Sequence, residues 1–156
     1  MISTPLKVTD CSLISDGAAA LVIVVDDMLS DFPRAVGFRA YQQVNDYLPI
    51  SAKDLAAFEG PRRAIELAYR QAGITVNDLS LAEVHDCFTI AELLMVEALG
   101  LAAPGRGRGA VIDGVTSREG KLPVNLSGGL KAKGHPVGAT GVSMHVLATQ
   151  NGRAHV

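Results

Sequence analysis

Apolar positions along this chain switch between strand-like and helix-like spacing, with glycine, proline and acidic residues marking each change. Asp16-Gly-Ala-Ala-Ala-Leu-Val-Ile-Val-Val25 passes from small residues into an unbroken apolar run closed by Asp26 and Asp27, which predicts a strand buried on both faces. Ala35 to Val44 alternates loosely beyond Pro33 and predicts a second strand. Pro61-Arg-Arg-Ala-Ile-Glu-Leu-Ala-Tyr-Arg-Gln-Ala72 then takes the helical period, with proline in the first turn and Gly73 just past the end. Ile65, Ala68, Tyr69 and Ala72 share one face of that helix, while Arg62–Glu66 and Glu66–Arg70 pair on the wet side. A short strand is predicted over Leu79 to His85. Thr89 as N-cap and Glu92 three residues on form a capping box for a helix apolar almost all round, which should be buried and end at Gly100. Leu101 to Lys121 reads as a Gly/Pro/Arg-rich loop with one apolar step, Ala110-Val-Ile112. A small-residue helix is predicted from Val137 to about Gln150.

Composition narrows the class. With 156 residues, 48% hydrophobic and 19% charged, the chain can bury one sizeable core, and its sixteen glycines suit an α/β architecture with many tight turns. A net charge of −2 gives no electrostatic case for nucleic acid or an anionic membrane. No apolar run is long enough to span a bilayer, and the N-terminus lacks a basic flank with a hydrophobic stretch, so the expectation is a soluble cytoplasmic protein. Two cysteines without repeated spacing argue against a disulfide framework and a zinc site. Nothing upstream of the Leu21–Val25 strand can pair with it. The domain is therefore expected to be incomplete at its N-terminus and to leave sheet edges and apolar faces uncovered.

Chemistry gathers in two places. Asn125-Leu-Ser-Gly-Gly-Leu-Lys-Ala-Lys-Gly-His-Pro-Val-Gly-Ala-Thr-Gly141 sets His135 between Gly134 and Pro136 on a stiff turn leading into a helix. A histidine at a helix N-terminus is favoured as the neutral imidazole, which can act as a base. Asn125, Gly128, Gly129, Gly134 and Gly138 mark a loop whose glycines let another group approach main-chain N–H donors. This is no phosphate loop, because His135 and Pro136 stand where lysine and serine or threonine are required. Arg106 and Arg108 could meet a phosphate, although such residues are more often solvated loop charges. The second place is His85-Asp-Cys87, between the end of a strand and the start of a buried helix, where ligands collect in open α/β sheets.

Each of these residues has a plainer reading. Cys87 could be a small buried hydrophobe, His85 a satisfied strand-end histidine, and Asp86 a local turn or cap residue, the reading favoured for it. Near a helix N-terminus, however, a thiolate is stabilised and the thiol becomes a competent acid/base or nucleophile. Two histidines and one thiol at strand-to-helix corners suit acid/base chemistry on a carbonyl compound.

These motifs support a resemblance. On Asp10-Cys-Ser and Ser15-Asp-Gly-Ala-Ala-Ala20, on His85-Asp-Cys-Phe88 with Glu92-Leu-Leu and Glu97-Ala-Leu-Gly100, and on Asn125-x-Ser-Gly-Gly with Gly134-His-Pro-x-Gly-Ala-Thr-Gly141, the chain resembles the C-terminal half of a thiolase. The His-Asp-Cys-Phe block resembles the sterol-carrier-protein type of acyl-CoA thiolase. The resemblance implies the C-terminal half of the thiolase fold, α/β, with a mixed sheet and helices on both faces. Residues 1–30 would be the end of the loop region and last strand of the N-terminal half. Residues 31–156 would be the C-terminal domain, truncated before its final strands.

It also implies an acyl-CoA C-acyltransferase, acetyl-CoA acetyltransferase-like, running Claisen condensation or thiolysis, with coenzyme A thioester as substrate and no further cofactor or metal. By analogy His135 would activate the nucleophilic cysteine and bind the thioester oxygen. His85 takes the place of an asparagine that positions an oxyanion-hole water in other thiolases, and Cys87 would be the acid/base at the substrate α-carbon. The family's nucleophilic cysteine lies upstream of this stretch, and Cys11 matches a non-catalytic position. The implied partners are acyl-CoA, an N-terminal thiolase half carrying that cysteine, and a second copy in a homodimer. Two alternatives stay open: a non-catalytic subunit that binds acyl-CoA or a thiolase partner, and a thiolase-like retro-aldolase subunit that needs no acyl-enzyme.

Overall fold

Glu59–Ala72, the first α-helix (α1), shows how closely local sequence governs this chain, described by a computed structural model over residues 2–154. Pro61 occupies its first turn, where its missing N–H costs nothing. Gly73 ends it at φ +67, with its N–H and that of Ile74 closing back on Arg70 O and Tyr69 O. The Arg62–Glu66 pair forms at 3.4 Å, but Arg63 supplies the second partner at 3.6 Å, and Arg70 Nε turns instead to the Glu66 carbonyl. Such exposed pairs contribute a few tenths of a kcal/mol each.

Tertiary pairing moves the next boundary. The second helix, α2, spans Thr89–Ala98, and its N-cap is Phe88 rather than Thr89, with no side-chain cap bond. Phe88 is held extended by an antiparallel bridge to Cys11, reinforced by Ser12 N–H donating to Cys87 O at 2.8 Å. Thr89 is thereby already helical and cannot cap. The expected burial of this helix holds at Val96, which is fully buried, and at Leu99 beyond its end. Gly100 then turns the chain at φ +87.

Between α1 and the stretch after Leu101, α2 forms the middle layer of the helices. That stretch is not all loop. Gly107–Ile112 forms a short helix, α3, because the Glu97 carboxylate accepts from Gly105 N–H at 2.9 Å and Gly107 N–H at 2.7 Å. Gly107 has no room for a side chain, since a Cβ would come within 2.6 Å of Leu93 O. Val84, Leu99 and Val124 form the core, with Ile65, Leu79, Ala82, Met95 and Leu101 packed around them. A fourth helix, α4, covers Gly129–Lys133, and a fifth, α5, covers Thr140–Ala154, starting three residues later than the sequence suggests.

The predicted strands are not found: among the described residues there is no named strand, and β-structure is limited to isolated bridges. At Leu79–His85 the reason is local. Ala82 pairs in parallel with Val124 through Ala82 N–H to Pro123 O and Asn125 N–H to Ala82 O. Asn125 then takes φ +53 and turns the backbone away, so its side-chain Oδ1, not a carbonyl, accepts from Val84 N–H at 2.8 Å. A side chain thus replaces the next rung of the ladder. Residues 35–44 are tied by side chains as well, through Arg39 Nη2 to Ala72 O and through Tyr41 N–H and Gln42 Nε2 to Gln71 Oε1. The Leu21–Val25 run lies open, with Val22 86% and Ile23 74% exposed, beside a cleft of about 520 Å³ shared with Phe38 and His145. A strand is defined by its neighbour, and no described segment lies in register with this one. No helix among the described residues is long and apolar enough to cross a membrane.

Candidate active site

Asp86 organises the site from below. Its Oδ1 accepts from Leu130 N–H at 2.9 Å, so it caps α4, forty-four residues away, rather than a turn of its own segment. Its Oδ2 occupies the space where a Cβ on Gly129 would stand, and Gly129 also sits at φ +65. The flanking Gly128 and Gly134 lie at φ +93 each, so three of the glycines expected to shape this loop do so by backbone conformation. Gly138 does not: its backbone is ordinary and the space beside it is empty.

His135 is clamped through its backbone. Ser15 Oγ accepts from His135 N–H at 2.8 Å, and Ser15 N–H returns to His135 O at 3.4 Å. A Cβ on Gly134 would stand 2.6 Å from that Ser15 Oγ, and one on Gly17 would stand 2.9 Å from the Pro136 ring. The Gly-His-Pro step therefore fits tightly against the Ser15–Gly17 segment, which the sequence marked only as part of a motif.

The expected helix-dipole effect on His135 is replaced by a hydrogen bond. With α5 starting at Thr140, His135 lies five residues outside the helix, and the dipole fades beyond the first turn. Instead His135 Nδ1 lies 2.8 Å from Thr140 Oγ1, and Thr140, only 2% exposed, donates its own proton to Pro136 O at 3.1 Å. A hydroxyl has one proton to give, so it accepts from His135 Nδ1–H. The neutral ring then keeps its lone pair on Nε2.

His85 and His135 come together, with ring centroids 5.0 Å apart and planes at 74°. Burial holds His85 below the ordinary imidazole range, the nearby His135 adds to this, and the Asp86 carboxylate partly opposes it. Cys87 departs from expectation. Burial pushes its thiol up, and the Asp86 charge pushes it further, outweighing backbone hydrogen bonds at the start of α2. The thiol is thus held protonated, and no thiolate is stabilised here. Glu92 is also pushed up, by burial first and then by Asp86. Asn125 supports the loop through Val84, and its Nδ2 is buried without a partner among the described residues.

The arrangement offers one imidazole with a defined free nitrogen, a second neutral imidazole against it, and a protonated thiol two residues further on. A family profile described as thiolase C-terminal domain-like matches residues 42–154. The chain belongs to this family. It is 41% identical to an acetyl-CoA acetyltransferase of Methanothermobacter thermautotrophicus over 145 residues, covering 92% of this chain and 38% of that protein. It is 37% identical to human sterol carrier protein 2 over 146 residues, covering 88% of this chain and 26% of that protein. In fold it is similar to a solved structure named Ltp2-ChsH2(DUF35) aldolase, with TM-score 0.74 at 24% identity, over 92% of this chain and 39% of that one. This thiolase C-terminal domain therefore spans well under half the length of the relatives it matches.

Proposed function

We propose that this domain supplies the acid/base and oxyanion-binding groups of a thiolase-type centre acting on coenzyme A thioesters. The observation that carries the reading is the His85–His135 ring pair at 5.0 Å, with His135 Nδ1 held 2.8 Å from Thr140 Oγ1. In the thiolytic direction, His135 Nε2 takes the proton of a nucleophilic cysteine contributed by the N-terminal thiolase half. That sulfur attacks the keto carbon of a 3-ketoacyl-CoA, the carbon–carbon bond breaks to leave an acyl-enzyme thioester, and the departing enolate of acetyl-CoA takes a proton at its α-carbon from the Cys87 thiol. A thiol held protonated suits that step. Free coenzyme A then takes the acyl group, its thiol proton restoring Cys87 while the released cysteine sulfur takes its proton back from His135. His85, neutral at working pH, offers an N–H to the enolate oxygen directly or through a water, a contribution of about 3 kcal/mol for a well-placed donor. Condensation runs the same steps backwards: the coenzyme A sulfur expelled on acylation takes the Cys87 proton, and the Cys87 thiolate so formed takes the α-proton of acetyl-CoA.

In this reading residues 1–30 close the N-terminal half, residues 31–156 form the C-terminal domain, and the working unit is a dimer. Acetoacetyl-CoA thiolysis by the chain mixed with an N-terminal thiolase half tests it, with Cys87→Ala as control. Activity in the mixture and its loss in the control support the proposal. Cleavage of a 3-hydroxyacyl-CoA without acyl transfer would point to the retro-aldolase instead, and binding without turnover to a non-catalytic subunit.

A further inference from the structure

Glu83 stands two residues before His85, and its side chain is only 1% exposed. Its Oε1 accepts from Ser127 N–H at 3.1 Å, and its Oε2 accepts from Ser127 Oγ at 2.6 Å. Lys133 Nζ lies 3.7 Å from Oε2, and Asn151 Nδ2 lies 3.5 Å from Oε1. Each partner belongs to a different piece of the His135 side. Ser127 stands between Asn125 and the Gly128–Gly129 pair, Lys133 ends α4 two residues before His135, and Asn151 belongs to the helix that Thr140 opens.

Burying a carboxylate is an expensive way to hold a fold together, because its desolvation cancels most of what pairing returns, and an apolar residue of similar size would serve packing as well. What an apolar residue could not do is fix three segments in one geometry by direction-specific bonds. The geometry points to Glu83 as a positioning residue that holds the His135 loop at a fixed distance from His85 by gripping Ser127, Lys133 and Asn151 together. Its value in turnover rests on the thiolase reading; the clamp itself does not.

The test is nuclear magnetic resonance of the imidazole rings in the 156-residue chain, comparing wild type with Glu83→Gln and with the milder Ser127→Ala, which deletes only one hydroxyl. The clamp predicts that ring-to-ring cross-peaks between His85 and His135 weaken or vanish in Glu83→Gln. The His85 titration should move up toward the ordinary imidazole range, because its burial and the closeness of His135 both hold it down, while Asp86 remains anchored on Leu130. Ser127→Ala should shift both in the same sense by less, and this variant decides the matter if Glu83→Gln does not fold. Thiolysis by Glu83→Gln with the N-terminal half should fall about 10- to 100-fold in kcat with KM little changed. Unchanged cross-peaks and titration alongside a lowered melting temperature would overturn the clamp and leave Glu83 a structural residue. A disturbed ring pair in Glu83→Gln, combined with thiolysis indifferent to His135→Ala, would keep the clamp and remove the thiolase role.

Discussion

His135 Nδ1 lies 2.8 Å from Thr140 Oγ1, and Thr140 donates its hydroxyl hydrogen bond to Pro136 O at 3.1 Å, which leaves the hydroxyl to accept from Nδ1–H. The chain thus sets the tautomer of its candidate base through a hydroxyl five residues downstream. Thr140→Val keeps the shape and removes the acceptor. Leaving the half-buried His135 donor unpaired should cost on the order of 1 kcal/mol, read as a lower denaturation midpoint, and the ring ¹⁵N shifts should show a mixture of tautomers. An unchanged midpoint and a single tautomer would show that Thr140 is not the determinant.

The lowered His85 pKa has a definite sign in stability. The unfolded chain holds a proton on this ring near the ordinary value of 6.5, while the folded protein releases it at lower pH. Within that window the unfolded state binds more protons, so stability rises with pH and is lost as pH falls from 6.5 toward the folded value. His85→Asn should flatten this slope in urea midpoints taken between about pH 5 and about pH 7.5. A variant with the wild-type slope would place the pH dependence elsewhere.

Cys87 should be slow toward iodoacetamide near neutral pH, because burial and Asp86 keep it protonated and only the thiolate reacts. Asp86→Asn should speed its alkylation, provided α4 stays capped, since an asparagine carbonyl can still accept from Leu130 N–H. Peptide mapping after timed alkylation reads both. Native Cys87 reacting faster than an unhindered thiol would contradict the assignment of a proton donor.

Gly129→Ala meets two penalties at once, a left-handed backbone at φ +65 and a Cβ driven into Asp86 Oδ2. A loss of at least about 2 kcal/mol is expected in denaturant melts. Gly138→Ala, with open space beside it, should change stability by no more than about 0.5 kcal/mol. Equal costs at the two positions would mean that the loop relaxes freely around Asp86.

How much of this could be read from the chain depends on the range of the forces involved. The bounds of α1 follow from Pro61, Gly73 and a helical stripe, all local, and the structure departs from them only by the two residues before Pro61. The start of α2 escaped because Phe88 is fixed by Cys11, seventy-seven residues away. The strand over Leu79–His85 failed at Asn125, where a side chain supplants a ladder bond that no alternation pattern can reveal. The pairing of His85 with His135 joins the two stretches that the Gly-His-Pro and His-Asp-Cys-Phe motifs mark in the sequence. Ser15 and Thr140, which bond to His135, and Glu83, which joins Ser127, Lys133 and Asn151, act across space through ordinary hydroxyls and a carboxylate. Thr140 lay within the Gly-Ala-Thr-Gly stretch, yet its bond to the ring is set by the turn at Pro136. At Cys87 a helix start alone argues for thiolate, whereas burial first and the Asp86 charge next push the thiol up, and neither is legible in the local sequence.

The central claim is that His135 acts as the base of a thiolase-type centre, and kcat for acetoacetyl-CoA thiolysis by the chain joined with an N-terminal thiolase half tests it most directly. His135→Ala should lower kcat about 100-fold or more while the variant still folds and binds the thioester. Thiolysis at the wild-type rate in His135→Ala would contradict the account.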